Sequence, residues 1–231
     1  MTDAMHLLMH KIKASWRAGK VTSVLFLDIE GAFPNAVPSR LVHNLRKRKV
    51  PSKIVNFVHN MLRGRVTNLR FDRYMSDPIK IDNGIGQGDP LSMMLYQHYN
   101  ADLLDIPEEA GELASAYMDD TILIATAETF TETHHKLANM MTREGGVGDW
   151  STEHNSSLKY SKLALIDFAH RCNPIKRTPL VLPQGIIKPS ENAKYLGIIF
   201  DQHLNWKTQH VHALGKGFRW AAQVKRIARP T

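Results

Sequence analysis

The chain has 231 residues, 43% of them apolar and 23% charged, enough to bury a sizeable core and too apolar for a disordered tail. Its 30 Lys and Arg outnumber 22 Asp and Glu, and the excess is concentrated: nine basic residues and no acid lie from Arg40 to Arg70, and six with no acid from Gln202 to Thr231. The other fifteen basic residues face all 22 acids, a net of −7, so an acidic body carries two basic stretches suited to a polyanion such as nucleic acid.

A single cysteine, Cys172, excludes an internal disulfide framework, and no Cys and His pair has zinc-ligand spacing. No apolar run approaches the roughly 18 residues that cross a bilayer, and the first residues, with Asp3 and His6, lack a secretory pattern. A soluble intracellular chain with no membrane partner is expected.

Thr2 or Asp3 caps a helix running through Leu7, Leu8, Ile12 and Trp16 and ended by Gly19. Val21 to Ile29 is an apolar, β-branched run that reads as a buried strand. Helical patterns follow over Ser39 to Lys49, which holds the run Arg46-Lys47-Arg48-Lys49, and after Pro51 over Lys53 to Leu62. Thr67 to Phe71 and Ile79 to Ile81 are short strand candidates. Gly84 to Pro90 is a glycine-rich turn in which Asp89 caps, and Pro90 opens, a buried helix reaching Leu104. Ala114 to Ala125 has two apolar arms around a polar centre, a hairpin pattern. Thr129 to Trp150 is helical until Gly145, Gly146 and Gly148 break it. Leu163 to Phe168 is another strand, and Cys172 to Pro189 a Pro- and Gly-rich connection rather than core. Lys194 to Phe200 is a strand, and Asn205 to about Ile227 a helix outside the sheet, where Trp206, Phe218 and Trp220 serve helix packing. This order predicts an α+β fold, an antiparallel sheet with helices on one face on the split βαβ plan.

Asp119 and Asp120 are the most informative pair. Adjacent carboxylates between Ala114-Ser115-Ala116 and Ile122-Leu123-Ile124 repel each other and lose hydration. A solvent-open hairpin tip is the plain explanation, since Asp is a common turn residue; the functional one is that divalent cations hold the pair. Asp28 favours the second, because it too ends an apolar strand, after Val24-Leu25-Phe26-Leu27. Only a sheet that sets these strands side by side unites Asp28 with Asp119. Three carboxylates would then hold two Mg²⁺ ions about 3.5 to 4 Å apart, the arrangement of two-metal phosphoryl transfer. Gly84, Gly86 and Gly88 form neither a Walker loop nor a dinucleotide fingerprint, since no Gly-Lys-Ser/Thr follows and Asp89 replaces the third glycine. His134-His135, His210 and His212 receive no role.

Phe26-Leu-Asp28-Ile-Glu-Gly-Ala-Phe33, Gly84-Ile-Gly-Gln87-Gly88-Asp-Pro90-Leu-Ser92 and Tyr117-Met-Asp-Asp120 resemble, in order and spacing, motifs A, B and C of reverse transcriptases. The flanks GAFPNA, NLRKRKVP and NGIGQGDPLSMMLY are similar to those of fungal non-LTR (LINE-type) retrotransposons. Ser161-Lys162 resembles motif D, and Lys194-Tyr-Leu-Gly197 with Leu204-Asn-Trp206 resembles motif E and the start of the thumb.

The resemblance implies a right-hand polymerase with its palm over residues 1–170, a connection and primer-grip strand over 171–204, and the start of a helical thumb over 205–231. It implies that Asp28 and Asp119 bind both metals, assisted by the backbone carbonyl of Ile29, with Asp120 the less direct ligand. The amides of Gly31 and Ala32 would reach the triphosphate. Phe33 matches the aromatic gate against the sugar 2′ position, and Gln87 and Gly88 match contacts to the nascent base pair and incoming nucleotide. Tyr117 and Met118 would shape the primer and template side, Leu196 and Gly197 the primer grip, and Lys162 would protonate the leaving pyrophosphate. Two Mg²⁺ ions, with Mn²⁺ as a substitute, are the implied cofactors. The implied partners are an RNA template, a DNA primer and dNTPs, and the implied compartment is the nucleus. The two basic stretches would contact duplex phosphates without sequence preference.

In this resemblance the chain opens just before motif A, without the fingers motifs that hold the triphosphate. Two readings stay open: a fragment of an RNA-directed DNA polymerase, and a catalytically inactive remnant that keeps the fold and nucleic-acid affinity. A two-metal nuclease is disfavoured by the contexts of Phe33 and Gln87.

Overall fold

The computed structural model describes residues 2–170 and 178–228; residues 171–177, at the start of the connection expected from Cys172, lie outside the described residues. Helix α1 (Thr2–Arg17) leads into strand β1 (Val21–Glu30), and Gly31, left-handed at φ 62°, turns the chain into the one-turn helix α2 (Ala32–Asn35). Helices α3 (Pro38–Lys47) and α4 (Ser52–Leu62) follow close to their predicted bounds. The strand predicted over Thr67 to Phe71 is broken instead. Strand β2 (Val66–Thr67) pairs with β5 (Ile79–Lys80), and between them β3 (Arg70–Phe71) pairs with β4 (Tyr74–Met75) around Asp72, whose φ of 48° makes a tight turn.

The Asp89 carboxylate accepts the Leu91 amide at 3.0 Å and caps α5 (Pro90–Tyr99), as predicted. That helix stops short of Leu104, because a separate 3-10 turn takes over at Ala101–Asp105. Strands β6 (Glu112–Tyr117) and β7 (Asp120–Ala127) form the predicted hairpin, and α6 (Phe130–Thr142) follows. The helix breaks before Gly145 and Gly146 as expected, but helical structure resumes at once: Gly146 is the N-cap of a second helix, α7 (Val147–Glu153), which contains Gly148. Beyond β8 (Ser157–Leu158) and β9 (Ala164–Phe168), the expected connection contributes to the core after all. Its hairpin of β10 (Leu180–Leu182) and β11 (Gly185–Ile187) buries Leu180 and Leu182. The strand predicted over Lys194 to Phe200 is also a hairpin, β12 (Asn192–Tyr195) and β13 (Ile198–Asp201), since Leu196 (φ 48°) and Gly197 (φ 84°) both turn left-handed. Helix α8 (Lys207–Ile227) follows, and no helix among the described residues is long and apolar enough to cross a membrane.

Five strands make one antiparallel sheet around β1, with β7 and then β6 on one side and β9 and β8 on the other. Strand alternation sorts its side chains. Leu25, Leu27, Ile29, Leu123 and Ala125 enter a core shared with α3 to α7. Val24, Phe26, Ile122 and Ile124 enter a second core, closed by Leu8 and Ile12 of α1 and by Tyr195 and Phe200 of the β12–β13 hairpin. The expectation of helices on one face is therefore corrected. An uninterrupted apolar run such as Val24 to Leu27 needs cover on both faces, and α1 with the hairpin supplies the second. Between the layers, Asp167 Oδ1 accepts Ser23 Oγ at 2.6 Å and lies 2.8 Å from His134 Nε2, tying β1, β9 and α6 together. His134 thus has a carboxylate partner that distance in sequence concealed.

The loop before α5 is stitched to the segment after β1: the Gly84 amide donates to the Ala36 carbonyl at 2.7 Å and the Ile85 amide to the Phe33 carbonyl at 2.9 Å. Gly84 is left-handed (φ 89°), and a Cβ there would stand 2.7 Å from the Pro34 carbonyl oxygen. Gly84→Ala is expected to cost about 1–3 kcal/mol, seen as a lower urea midpoint at unchanged m-value. An unchanged midpoint would mean that the Pro34 backbone yields freely.

Candidate active site

The site follows from the register of β1 and β7. Asp28 pairs directly with Asp120, and the chain leaves the hairpin through the two-residue turn Met118-Asp119, in which Met118 takes φ 57°. Directly opposed residues of an antiparallel pair project to one face. Asp28 and Asp120 therefore continue the rows of Phe26 and Ile122 and stand beside the β12–β13 hairpin. A pocket of about 180 Å³ opens there, lined by Asp28, Asp120, Lys162, Lys194 and Tyr195 among others. Asp119, in the turn, is not part of that lining.

Lys162 Nζ lies 3.3 Å from Asp28 Oδ2, and the Lys159 amide donates to the Asp28 carbonyl at 3.0 Å, which holds the 3-10 turn Tyr160–Lys162 against the end of β1. Both partners of the ion pair reach solvent, so it adds little to stability; what it does is place an ammonium at the carboxylate edge. Partial loss of hydration, and then the charges of Asp119 and Asp28, push the Asp120 carboxyl above its ordinary pKa, while Lys194 draws it back.

Behind the turn, half-buried Phe33 stacks on Tyr96 of α5, with ring centroids 4.8 Å apart and planes 24° off parallel. Burial pushes the Tyr96 hydroxyl pKa up, and the charge of Asp119 pushes it the same way. The segments carrying Phe33, Tyr96 and Asp119 thus meet at one end of the sheet. Gly31 and Ala32 make the turn into α2, and Gln87 and Gly88 are exposed before α5. Tyr117 and Met118 are half-buried, and the Met118 carbonyl accepts Asn100 Nδ2 at 2.9 Å. Leu196 packs into the second core, so the tip of the β12–β13 hairpin presents backbone and Gly197 rather than a leucine side chain.

Among the described residues no three His, Cys, Asp or Glu side chains converge as a ready-made metal cage. The donors nevertheless suit a hard divalent cation. They are carboxylate oxygens, two of them in register, with a mutual repulsion that a cation relieves. Sequence reading missed two neighbours of this cluster. Tyr96 carried no signal beyond a helical apolar position, and Lys194 stood inside a quoted motif without a sign of which carboxylate it faces.

The first basic stretch is partly spent inside the fold. Lys47 Nζ lies 2.8 Å from Asp102 Oδ1, and Arg48 donates to Asp105 at 2.5 Å and to Asp102 at 3.1 Å. Those two residues dock α3 on the 3-10 turn, while Arg46 and Lys49 make no ion pair among the described residues. In α8, Trp206 at its N-cap packs on Phe200 (centroids 5.4 Å), but Phe218 and Trp220 are exposed. Their expected packing role is corrected: among the described residues α8 packs chiefly on β13 through its first turns, and both rings stand open to solvent.

A sheet covered on both faces, with strand-end carboxylates in register, is a fold that solved structures also show. Two structures of apo telomerase from Candida tropicalis share it. One, truncated from the C-terminal domain, has a TM-score of 0.57 at 13% identity over 88% of this chain and 44% of that one; the other has a TM-score of 0.62 at 10% identity over 87% and 35%. The sequence model of the reverse transcriptase (RNA-dependent DNA polymerase) family matches residues 2–200, and the chain belongs to that family. The family generally uses divalent metal ions. Among its relatives is the RNA-directed DNA polymerase from mobile element jockey of Drosophila funebris, 25% identical over 200 residues that make up 84% of this chain and 21% of the relative. The Pol polyprotein from the type-1 retrotransposable element R2 of Nasonia vitripennis is 28% identical over 156 residues, 64% of this chain and 15% of the relative. The chain spans about a fifth of the length of the jockey protein.

Proposed function

We propose that this chain is the catalytic segment of an RNA-directed DNA polymerase of a non-LTR retrotransposon, extending a DNA primer 3′-hydroxyl with dNTPs on an RNA template. The observation that carries this reading is the cross-strand register of Asp28 with Asp120, with Asp119 next to it in the turn. In this reading Asp28 and Asp119 hold two Mg²⁺ ions, assisted by the Ile29 carbonyl, and Asp120 completes the acidic cluster. When bound, such ions neutralise developing charge on the attacking and leaving oxygens. The Gly31 and Ala32 amides reach the triphosphate, and Gln87 and Gly88 lie against the nascent pair. Tyr117 and Met118 border the primer, and Gly197 with the backbone of Leu196 supports its end. Lys162 gives its Nζ proton to the departing pyrophosphate. The palm covers residues 1–170, the connection and primer-grip hairpin 171–204, and the thumb begins at 205, where the cations of α8 follow the duplex. The flanks quoted above favour a fungal element, acting in the nucleus.

Primer extension on an RNA template, with Asp119→Ala as control, tests this. A wild-type chain that yields no Mg²⁺-dependent product, where a longer relative extends the same primer, overturns the reading. The Phe33 ring, braced from behind by Tyr96, limits the space beside the sugar. Phe33→Val is therefore expected to lower discrimination against rNTPs by about 10- to 100-fold, measured as the ratio of kcat/KM for dNTP to that for rNTP. An unchanged ratio in an extending variant would remove the gate from Phe33.

A further inference from the structure

Residues 63–80 form a ribbon without a single buried side chain. Its large apolar residues are all open to solvent, from 44% at Ile79 to 63% at Phe71 and Tyr74. Backbone bonds hold it: the Ser76 amide donates to the Leu69 carbonyl and the Ile81 amide to the Arg65 carbonyl, both at 2.9 Å. A two-stranded ribbon has no core of its own, and apolar surface left open in this way marks a binding face.

Three observations say what the face fits. In the β3–β4 register Phe71 stands directly opposite Tyr74, so both rings rise from one side of the tip. The ribbon carries five cations, Arg63, Arg65, Arg70, Arg73 and Lys80, against two acids, Asp72 and Asp77. Rings interleaved with cations suit a single-stranded polynucleotide, whose bases stack on any aromatic face while its phosphates meet the charges. The base of the ribbon is also continuous with the active site. Arg65 donates to the Gly84 carbonyl at 2.6 Å and to the Asn83 carbonyl at 3.3 Å, at the entry to the loop bearing Gln87 and Gly88.

We propose that this ribbon binds single-stranded RNA, stacking bases on Phe71 and Tyr74 and holding phosphates with Arg70, Arg73 and Lys80. Identifying the bound strand as uncopied template rests on the polymerase reading; the binding itself does not. The test is fluorescence anisotropy of the whole chain, without dNTPs, on a single-stranded oligoribonucleotide and on a blunt duplex of equal length. The double variant Phe71→Ala, Tyr74→Ala is expected to lose about tenfold or more in single-strand affinity, with the blunt duplex little changed, while Phe71→Tyr retains binding. Arg70→Gln with Arg73→Gln is expected to flatten the single-strand salt slope by about 1–2.

A second readout needs no variant. RNA carrying 5-iodouridine, crosslinked to the wild-type chain and digested with trypsin, is expected to label the peptides Phe71–Arg73 or Tyr74–Lys80. Crosslinks that map only elsewhere overturn the proposal, as does equal loss on both nucleic acids or no loss on either. If the double variant alters only self-association in sedimentation, the ribbon is a protein-packing face and the proposal fails. A chain that extends primers yet binds RNA without the ribbon overturns this inference alone. One that binds through the ribbon yet never extends overturns the polymerase reading alone.

Discussion

Asp28→Asn and Asp119→Asn are each expected to depress primer extension by about 10³-fold or more, while leaving the metal-free chain no less stable than the wild type. The two effects have one cause. Asp28, Asp119 and Asp120 crowd like charge at the end of β1 and β7, and that charge adds to the burial that already raises the Asp120 pKa. A carboxyl whose folded pKa is raised favours folding below its unfolded value, and that contribution is lost as pH rises through the folded value. At neutral pH the site is therefore a local burden on the fold, kept because the same charges attract divalent cations. Removing one carboxylate lightens the burden and destroys the cation site. Melting temperatures with and without Mg²⁺ check this: the ion is expected to raise the wild-type value and to leave both variants where they are. A variant that extends at near wild-type rate would refute the assignment. So would one that melts far below the wild type without metal.

Arg143→Ala is expected to destabilise the chain by about 3–5 kcal/mol, a large part of the roughly 5–15 kcal/mol that holds a domain folded. The side chain of Glu112 has no exposed surface, and Arg143 Nη2 lies 3.0 Å from its Oε2. The amides of Glu108 and Glu109 donate to the same oxygen at 3.0 and 3.2 Å. Burial alone would raise the Glu112 pKa; the two amides and Arg143 outweigh it and hold the carboxyl below the usual range. Without Arg143 a charge stays buried with its main counter-ion gone. Arg143 also donates to the Ile106 carbonyl, so the variant loosens the 106–112 approach to β6, the strand that ends in Tyr117 and the carboxylate turn. In the wild type the Glu112 contribution is present at neutral pH and is lost as pH falls through the lowered folded value. In the variant the carboxyl takes up a proton more readily, so the deficit in urea midpoint is expected to be largest near pH 7 and to shrink toward pH 4. A deficit independent of pH would mean that lost packing, not charge, is the cause.

The readable parts of this chain were those whose signal is residue type at short spacing. Leu8 and Ile12, the apolar run of β1, the Asp89-Pro90 start of α5 and the two arms around Asp119-Asp120 each announce an element locally. Lost were the places where one or two left-handed residues fold a predicted strand back on itself, Asp72 in one case and Leu196 with Gly197 in another. Helix α7 was hidden because a glycine that ends one helix can equally start the next.

By itself the sequence determined which chemical groups the site contains and their order along the chain, because motif identity lies in residue type and local spacing. Only the tertiary structure decided that Asp28 faces Asp120, that Lys162 pairs with Asp28, that Asp102 and Asp105 engage Lys47 and Arg48, and that both faces of the sheet are covered. Each of these joins residues far apart in the chain through a strand register or a packed layer. A slip of one residue in that register would turn every side chain to the opposite face, and no local pattern records which register the packed cores select.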